Sequence, residues 1–250
     1  MKIVIIGSGN VAYHLAKAFT QNNIKVSQIF GRNEVELNKI SEELNIPYST
    51  KELADADLYL ISVSDSAVEQ VSDLIKTEKA LVAHTSGSLP IETLNGDYRK
   101  ASFYPLQTFS KTKNLDYSKI PFFIEAENQI DEKSLFELAS LISDNVETSD
   151  YEKRKYIHLT AVFACNFVNH LFARAKEIAD SQDLDFNYFI PLIDETVEKI
   201  HHLEPKSAQT GPAVRGDERI LKLHEELIND EEHLKIYKLM NDSIKKMYSK

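Results

Sequence analysis

The stretch Ile3-Val4-Ile5-Ile6-Gly7-Ser8-Gly9-Asn10-Val11-Ala12 decides the fold. Four consecutive apolar, mostly β-branched residues read as a strand buried on both faces. The residues after it spell G-x-G-x-x-A, a pattern that joins such a strand to a helix around a phosphate group. Gly7 permits the tight turn, and Gly9 removes a Cβ so that a pyrophosphate can approach the backbone. Ala12 lets helix and sheet pack closely. The helix that starts here presents unpaired N–H groups and a partial positive charge. Gly7, Ser8, Gly9, Asn10 and Val11 are therefore the candidate phosphate loop; the bland alternative is a plain glycine turn.

Working outward, strand signals alternate with helical spacing. Strands are predicted over 25–30, 58–63, 80–83 and 122–124. Helices are predicted from Val11, with Leu15, Ala18 and Phe19 recurring, and then over 34–44, 67–75 and 133–142. Such alternation builds right-handed βαβ units and a parallel sheet. Beyond residue 150 the strand signal stops. Helical periodicity fills 156–178, 188–202, 218–229 and 233–248, while 204–217 is a loop with two prolines and two glycines. The expected class is α/β, a Rossmann-type, mostly parallel sheet over residues 1–150. An all-α domain over 151–250, serving substrate binding or dimerisation, follows it.

Composition limits the partners. The 250 residues carry 39 acidic and 29 basic side chains, a net charge of −10, of which −8 falls in residues 1–150. Such acidity argues against a nucleic-acid binder and against a polybasic membrane anchor. No apolar run approaches the ~18 residues of a membrane span, and the first apolar run is too short for a signal peptide. The single cysteine, Cys165, allows neither an internal disulfide nor a thiolate metal cluster. A cytoplasmic protein with a small-molecule substrate is the expectation, with no metal.

The tip of the second strand bears on the choice of cofactor. NAD sites place an acid there for the ribose 2′-hydroxyl. Here the sequence is Phe30-Gly31-Arg32-Asn33, and Glu34 falls in the first turn of the next helix. Arg32 suits the 2′-phosphate of NADP through a forked, charge-assisted contact; alternatively it is a solvated surface charge. Ligands in such sheets lie beyond the carboxyl ends of the strands. Val63, Ser64 and Asp65 are there to line ribose and nicotinamide, although Ser66 and Glu69 also match a capping box. In His84-Thr85-Ser86-Gly87-Ser88, just past a strand, His84 is a candidate proton donor or a satisfied loop histidine.

The residues at 7–12, Gly31-Arg32, 84–88, Tyr104-Pro105-Leu106-Gln107-Thr108-Phe109 and Thr210-Gly211-Pro212-Ala213-Val214-Arg215-Gly216-Asp217 together carry a resemblance. The first part resembles the reductases that include pyrroline-5-carboxylate reductase, 3-hydroxyisobutyrate dehydrogenase and ketopantoate reductase. It is also similar to the NADP-binding part of deazaflavin-dependent NADP oxidoreductases. The whole chain resembles a bacterial family in which a Rossmann-like domain precedes a helical domain of unknown function. The resemblance implies an active site between the domains and a dimer made by the helical one.

Transfer of catalytic residues from these reductases is incomplete. Their lysine–asparagine pair, four residues apart, is missing, since Lys155 is followed by Leu159. Lys155 and Asn166 share a helix face but lie ~16 Å apart along the axis, and His158 and Asn166 ~12 Å apart. Asn166 and Asn169 sit in an apolar stretch, where substrate binding and interhelical hydrogen bonding are equal alternatives. By analogy Thr210 and Arg215 could take a substrate carboxylate, whereas Gly211-Pro212 also reads as a turn and Asp217 as an N-cap. Val162, Phe163, Phe167, Val168, Leu171 and Phe172 occupy several helix faces, as burial in a homodimer would require.

The expected activity is NADP(H)-dependent reduction of a small keto acid or cyclic imine, with His84, Asn166 and Arg215 as catalytic candidates. The absent lysine–asparagine pair leaves a non-catalytic NADP(H) sensor or scaffold as the alternative, and a structural dimer without cofactor as a third.

Overall fold

The computed structural model describes residues 1–248 and divides into two compact units, the first ending at Asn166 and the second starting at Phe167. The first unit is an eight-stranded sheet with helices on both faces. Its strands are β1 (Ile3–Ile6), β2 (Val26–Phe30), β3 (Tyr48–Ser49), β4 (Leu58–Ile61), β5 (Leu81–His84), β6 (Arg99–Pro105), β7 (Phe122–Ala126) and β8 (Val146–Thr148). The order is β3-β2-β1-β4-β5-β6-β7-β8. Neighbours are parallel except β6 and β7, so the last two strands run against the rest. The chain's class is thus the α/β, mostly parallel Rossmann-type sheet expected from its sequence, with a helical region after it.

Alternation along each strand sends side chains to two faces. On one face Ile3, Ile5, Leu60, Ala83 and Phe103 pack under α1 (Asn10–Gln21), α2 (Glu34–Leu44) and α4 (Gln129–Ser140). On the other, Val4, Ile6, Tyr59, Ile61 and Val82 meet Val68 of α3 (Val68–Ser72) together with Leu94 and Tyr98. Burial on both faces explains why the central strands read as unbroken apolar runs. Side-chain caps define the helix starts: Asn33 accepts from the Glu36 N–H, Asn128 from Ile130 and Asp131, and Asp150 from Lys153.

Several elements differ from the sequence expectation. Three strands, β3, β6 and β8, carry no continuous apolar run and escape a search for one. The helix expected over 67–75 is only five residues long, preceded by a 3-10 turn at Asp65–Ala67; Ser66 and Glu69 form no capping box. The helix expected from 156 begins at Tyr151, because Asp150 caps it. This α5 (Tyr151–Ala161) passes through a π-helical turn at Val162–Phe167 into α6 (Val168–Ser181). The expected boundary at 150 marks where the strands end, whereas the compact first unit continues to Asn166 and takes α5 with it.

What holds α5 to the sheet is a polar row on the second face. Ile61, His84, Ser102 and Glu125 lie side by side across β4, β5, β6 and β7. Arg154 of α5, with no exposed side-chain surface, pairs with the Glu125 carboxylate and donates to the Leu89 carbonyl at 2.6 Å. Glu125 also accepts the Tyr151 N–H at 3.2 Å.

The second unit is helical: after α6 come α7 (Ile190–Lys199), the short α8 (Pro205–Ala208) and α9 (Pro212–Arg215), α10 (Glu218–Leu227) and α11 (Glu231–Tyr248). Asp217 caps α10, as the sequence suggested, by accepting from Ile220 N–H at 3.3 Å. Burial of 162–172 on all faces is not supplied by this chain, where Phe163 is 64% and Phe167 46% exposed. Among the described residues no helix is long and apolar enough to cross a membrane.

Removing one partner of a buried ion pair leaves the other charge stranded. Arg154→Ala is expected to lower unfolding free energy by about 3–5 kcal/mol, measured by urea denaturation.

Candidate functional site

The end of β1 is fixed by two neighbours. The Gly7 N–H donates to the Phe30 carbonyl at 2.8 Å. Gly7 has φ of +137°, and a Cβ there would lie 2.1 Å from the Ser62 carbonyl oxygen. Only glycine meets both conditions. At Gly9, by contrast, an added Cβ would have nothing within 4 Å, so this side of the loop faces open space. Gly9 caps α1 without a side-chain bond, and the first turn holds no acid, which leaves the helix N-terminal N–H groups for an anion. Ala12 is fully buried.

A cavity of about 940 Å3 lies here. Of the residues expected to bind cofactor, Gly7, Ser8, Gly9, Asn10, Val11, Arg32, Val63 and Ser64 line it. Asp65 does not; it opens the 3-10 turn. Arg32 is exposed and forms no ion pair among the described residues. Glu36, in the first turn of α2, is matched by two cations: the Lys111 ammonium at 2.5 Å and Lys39 at 2.6 Å hold its carboxyl down at about 2.

Lys111 was not visible from the sequence as part of this region. It comes from the β6–β7 connection and also donates to the Ser8 carbonyl at 2.8 Å. The same connection accepts the Asn10 side-chain N–H at the Phe109 carbonyl, 2.8 Å away. His14 bonds to the Ser110 carbonyl at 2.9 Å through Nε2, which must then carry the proton. Nδ1 accordingly accepts from the Tyr117 hydroxyl at 2.8 Å. The phosphate loop is thus braced by a segment a hundred residues away.

A second group stands at the carboxyl end of β6. The Tyr104 hydroxyl and His158 Nδ1 are 3.0 Å apart. A Cβ on Gly87 would come within 2.7 Å of Tyr104 Cζ and 2.8 Å of His158 Nδ1, so the loop after β5 presses directly on this pair. Burial pushes the Tyr104 phenol up to about 12, with Arg154 pulling it down and Asp65 adding to the rise. Tyr104 and His158 line a second cavity of about 950 Å3, with Leu106, Tyr156, Ile157 and Val162 among its apolar walls.

The pairing has a simple geometric origin. Glu125 faces Ser102 and Phe123 faces Tyr104 in register, a step of two residues or ~7 Å along the strands. Arg154 and His158 are four residues apart on α5, one turn or ~6 Å, on the same helix face. Once Arg154 is seated on Glu125, His158 arrives at Tyr104.

The three catalytic candidates are not equivalent. His84 is the last residue of β5, not a loop residue; it is fully buried and lines neither cavity. Its Nδ1 accepts the Ser86 N–H at 3.2 Å, while Nε2 has no partner, the Pro90 backbone falling outside bonding geometry. Asn166 is exposed and lines the second cavity. Arg215 is exposed at the end of α9 in the second unit. Both cavities are lined by the first unit alone.

A parallel sheet with a glycine-rich loop at its switch point is a dinucleotide-binding architecture, and residues 2–87 match the family profile described as NADP oxidoreductase coenzyme F420-dependent, which makes the chain a pyridine-nucleotide-dependent oxidoreductase. The chain belongs to the family of the domain of unknown function DUF2520, which matches residues 120–244. A Bacteroides fragilis protein assigned as an NADP oxidoreductase is 40% identical, with 98% of each chain covered and a TM-score of 0.93. A Thermotoga maritima protein is 20% identical over 99% of this chain and 100% of its own, TM-score 0.83. The 1-pyrroline-5-carboxylate reductase of Streptococcus pyogenes shares the fold at 15% identity, 100% and 99% coverage and a TM-score of 0.66. Among curated proteins none matches significantly.

Burial, then the Arg154 charge, pushes the His84 imidazole from 6.5 down to about 3. The folded chain therefore refuses a proton that the unfolded chain takes below pH 6.5. Stability from this group is complete above that pH and is lost as pH falls toward 3. In His84→Asn the unfolding free energy should decline less steeply than wild type between pH 6.5 and 4; equal slopes would remove His84 as the source.

Proposed function

We propose that this protein is an NADP(H)-dependent reductase of a small keto acid or cyclic imine. The observation that carries the reading is the Gly7–Gly9 loop, closed on the Ser62 side and open on the other, at a helix N-terminus free of acid. NADPH, when bound, supplies a hydride. Gly7, Ser8, Gly9, Asn10 and Val11 hold its pyrophosphate, while Val63 and Ser64 approach the ribose and nicotinamide. Asp65 stands back from the cavity and acts on Tyr104 instead.

Two facts support NADP over NAD. Arg32 is an uncommitted guanidinium at the cavity, and the one acid in the first turn of α2 that is ion-paired, Glu36, is offset by Lys39 and Lys111. Glu34 lines the same cavity, so the preference rests on the forked contact that Arg32 offers a 2′-phosphate.

Asn166 is assigned to orient the acceptor in the second cavity; Arg215, which lines neither cavity, keeps its role toward a substrate carboxylate by sequence analogy alone. His84, enclosed and neutral, serves by shaping the β5 loop, or by passing a proton only through intermediaries. Exposed Leu192, Ile200, Leu223 and Leu239 suit the second unit to form a homodimer. A lone thiol, Cys165, suits a reducing cytoplasmic setting.

NADPH oxidation measured with a panel of 2-keto acids and cyclic imines tests the activity. Tight NADPH binding without turnover on any of them would favour a cofactor sensor. Arg32→Ala is expected to weaken NADPH about tenfold, the scale of one charged hydrogen bond, and to leave NADH within twofold. Unchanged NADPH affinity would overturn the NADP preference.

A further inference from the structure

The Tyr104–His158 pair has the parts of a proton-delivery device, and the sequence, which shows Tyr104 in the 104–109 motif and His158 on a helix, does not show that they meet. Tyr104 is the penultimate residue of β6, whose carboxyl end lies on the same sheet edge as those of β4 and β5. The residues following β4, Val63 and Ser64, line the dinucleotide cavity. Its hydroxyl bonds to a ring nitrogen that belongs to a separate helix, and both residues line a roomy cavity. Gly87 has no room for even one carbon between itself and the pair. A loop pressed so closely holds the phenol and imidazole in one relative position, the preorganisation that proton transfer requires.

We propose that Tyr104 donates the proton to the acceptor's heteroatom, that His158 resupplies it, and that the cavity they line receives an acceptor with a bulky apolar substituent. This rests on the reductase reading above and names the acid and the substrate class for it. The acceptor's C=O or C=N π bond breaks as its carbon gains hydride from the reduced nicotinamide. The heteroatom takes the hydroxyl proton of Tyr104, leaving phenolate. His158 returns a proton through the 3.0 Å bond and recovers one from solvent through the cavity it lines. The two electrons come from the cofactor, and the net proton from water.

The raised ionisation of the phenol is consistent with this role. Burial keeps Tyr104 protonated at neutral pH. It gives up the proton only to a strong base, and the alkoxide or amide anion that forms during hydride addition is one. The walls give the substrate class. Leu106, Pro121, Tyr156, Ile157 and Val162 offer apolar surface, while Asn166 and Thr160 add a few polar contacts. A keto acid with only a methyl beside its carbonyl leaves most of about 950 Å3 unfilled; one with an aryl or branched alkyl group removes that surface from water.

The test uses the full-length protein with NADPH and three probes: pyruvate, phenylpyruvate and 2-methyl-1-pyrroline. Phenylpyruvate should exceed pyruvate in kcat/KM by at least tenfold. Tyr104→Phe, one atom smaller, should lose 100- to 1,000-fold in kcat with NADPH affinity unchanged. His158→Gln retains a hydrogen-bonding side chain but has no ring proton to pass on, so its kcat should fall at least tenfold while its KM for phenylpyruvate stays within twofold of wild type. Independently of turnover, the His158 ring nitrogen chemical shifts measured by NMR should move in Tyr104→Phe, reporting loss of the 3.0 Å hydrogen bond. Wild-type turnover with Tyr104→Phe inside threefold of it would overturn the assignment and leave the reductase reading standing. Pyruvate preferred over phenylpyruvate would overturn the substrate class. Wild type that binds NADPH and reduces none of the probes or the wider panel would defeat the reductase reading, and this proposal with it.

Discussion

The first unit is organised around a single close approach, that of Gly7 to the Ser62 carbonyl. The backbone of β1 ends between the tips of β2 and β4, donating to one and touching the other. A side chain at position 7 would force these tips apart, and the cavity that spans them would lose its floor. Because sheet order turns at β1, with β2 on one side and β4 on the other, the same contact fixes where the two halves of the nucleotide site meet. Ala12 on α1 completes the junction from the helix side.

On its second face the sheet changes character. Toward β1 and β4 it is wholly apolar, but from β5 to β7 a row of His84, Ser102 and Glu125 crosses it. Arg154 covers this row. His84 Nε2, Ser102 Oγ and Arg154 Nε, all buried, lack partners. Apolar residues of like volume would pack there at lower desolvation cost. What the ionic arrangement provides is register, because a guanidinium committed to Glu125 and the Leu89 carbonyl cannot slide along the face.

The glycine loop after β1 was legible because its residues are contiguous and their pattern is local. Gly7, Gly9 and Ala12 sit within six positions, and at Gly7 the structure leaves no room for a side chain. Arg32 was legible from the end of a strand. Lys111, Tyr104 and His158 were not, since each acts on residues 54 to 103 positions away. Periodicity reports burial and conformation, and it is blind to such meetings. β6 was missed for a related reason: Ala101 and Phe103 face one side, Ser102 and Tyr104 the other, and two charges precede them. His84 was placed past its strand because an apolar run stops at Ala83, yet a histidine can finish a buried strand when a backbone N–H and a polar row receive it.

The reversal between β6 and β7 has one more consequence. It makes β8 run away from the nucleotide edge, so α5 must climb back toward it, and the climb is measured against the strands in whole turns. The four-residue interval from Arg154 to His158 is therefore as fixed as the residues themselves. One residue inserted within it would swing His158 by about 100° around the helix, leaving Arg154 seated and Tyr104 alone. In homologous chains an insertion or deletion between these two positions should not be found where both side chains are kept.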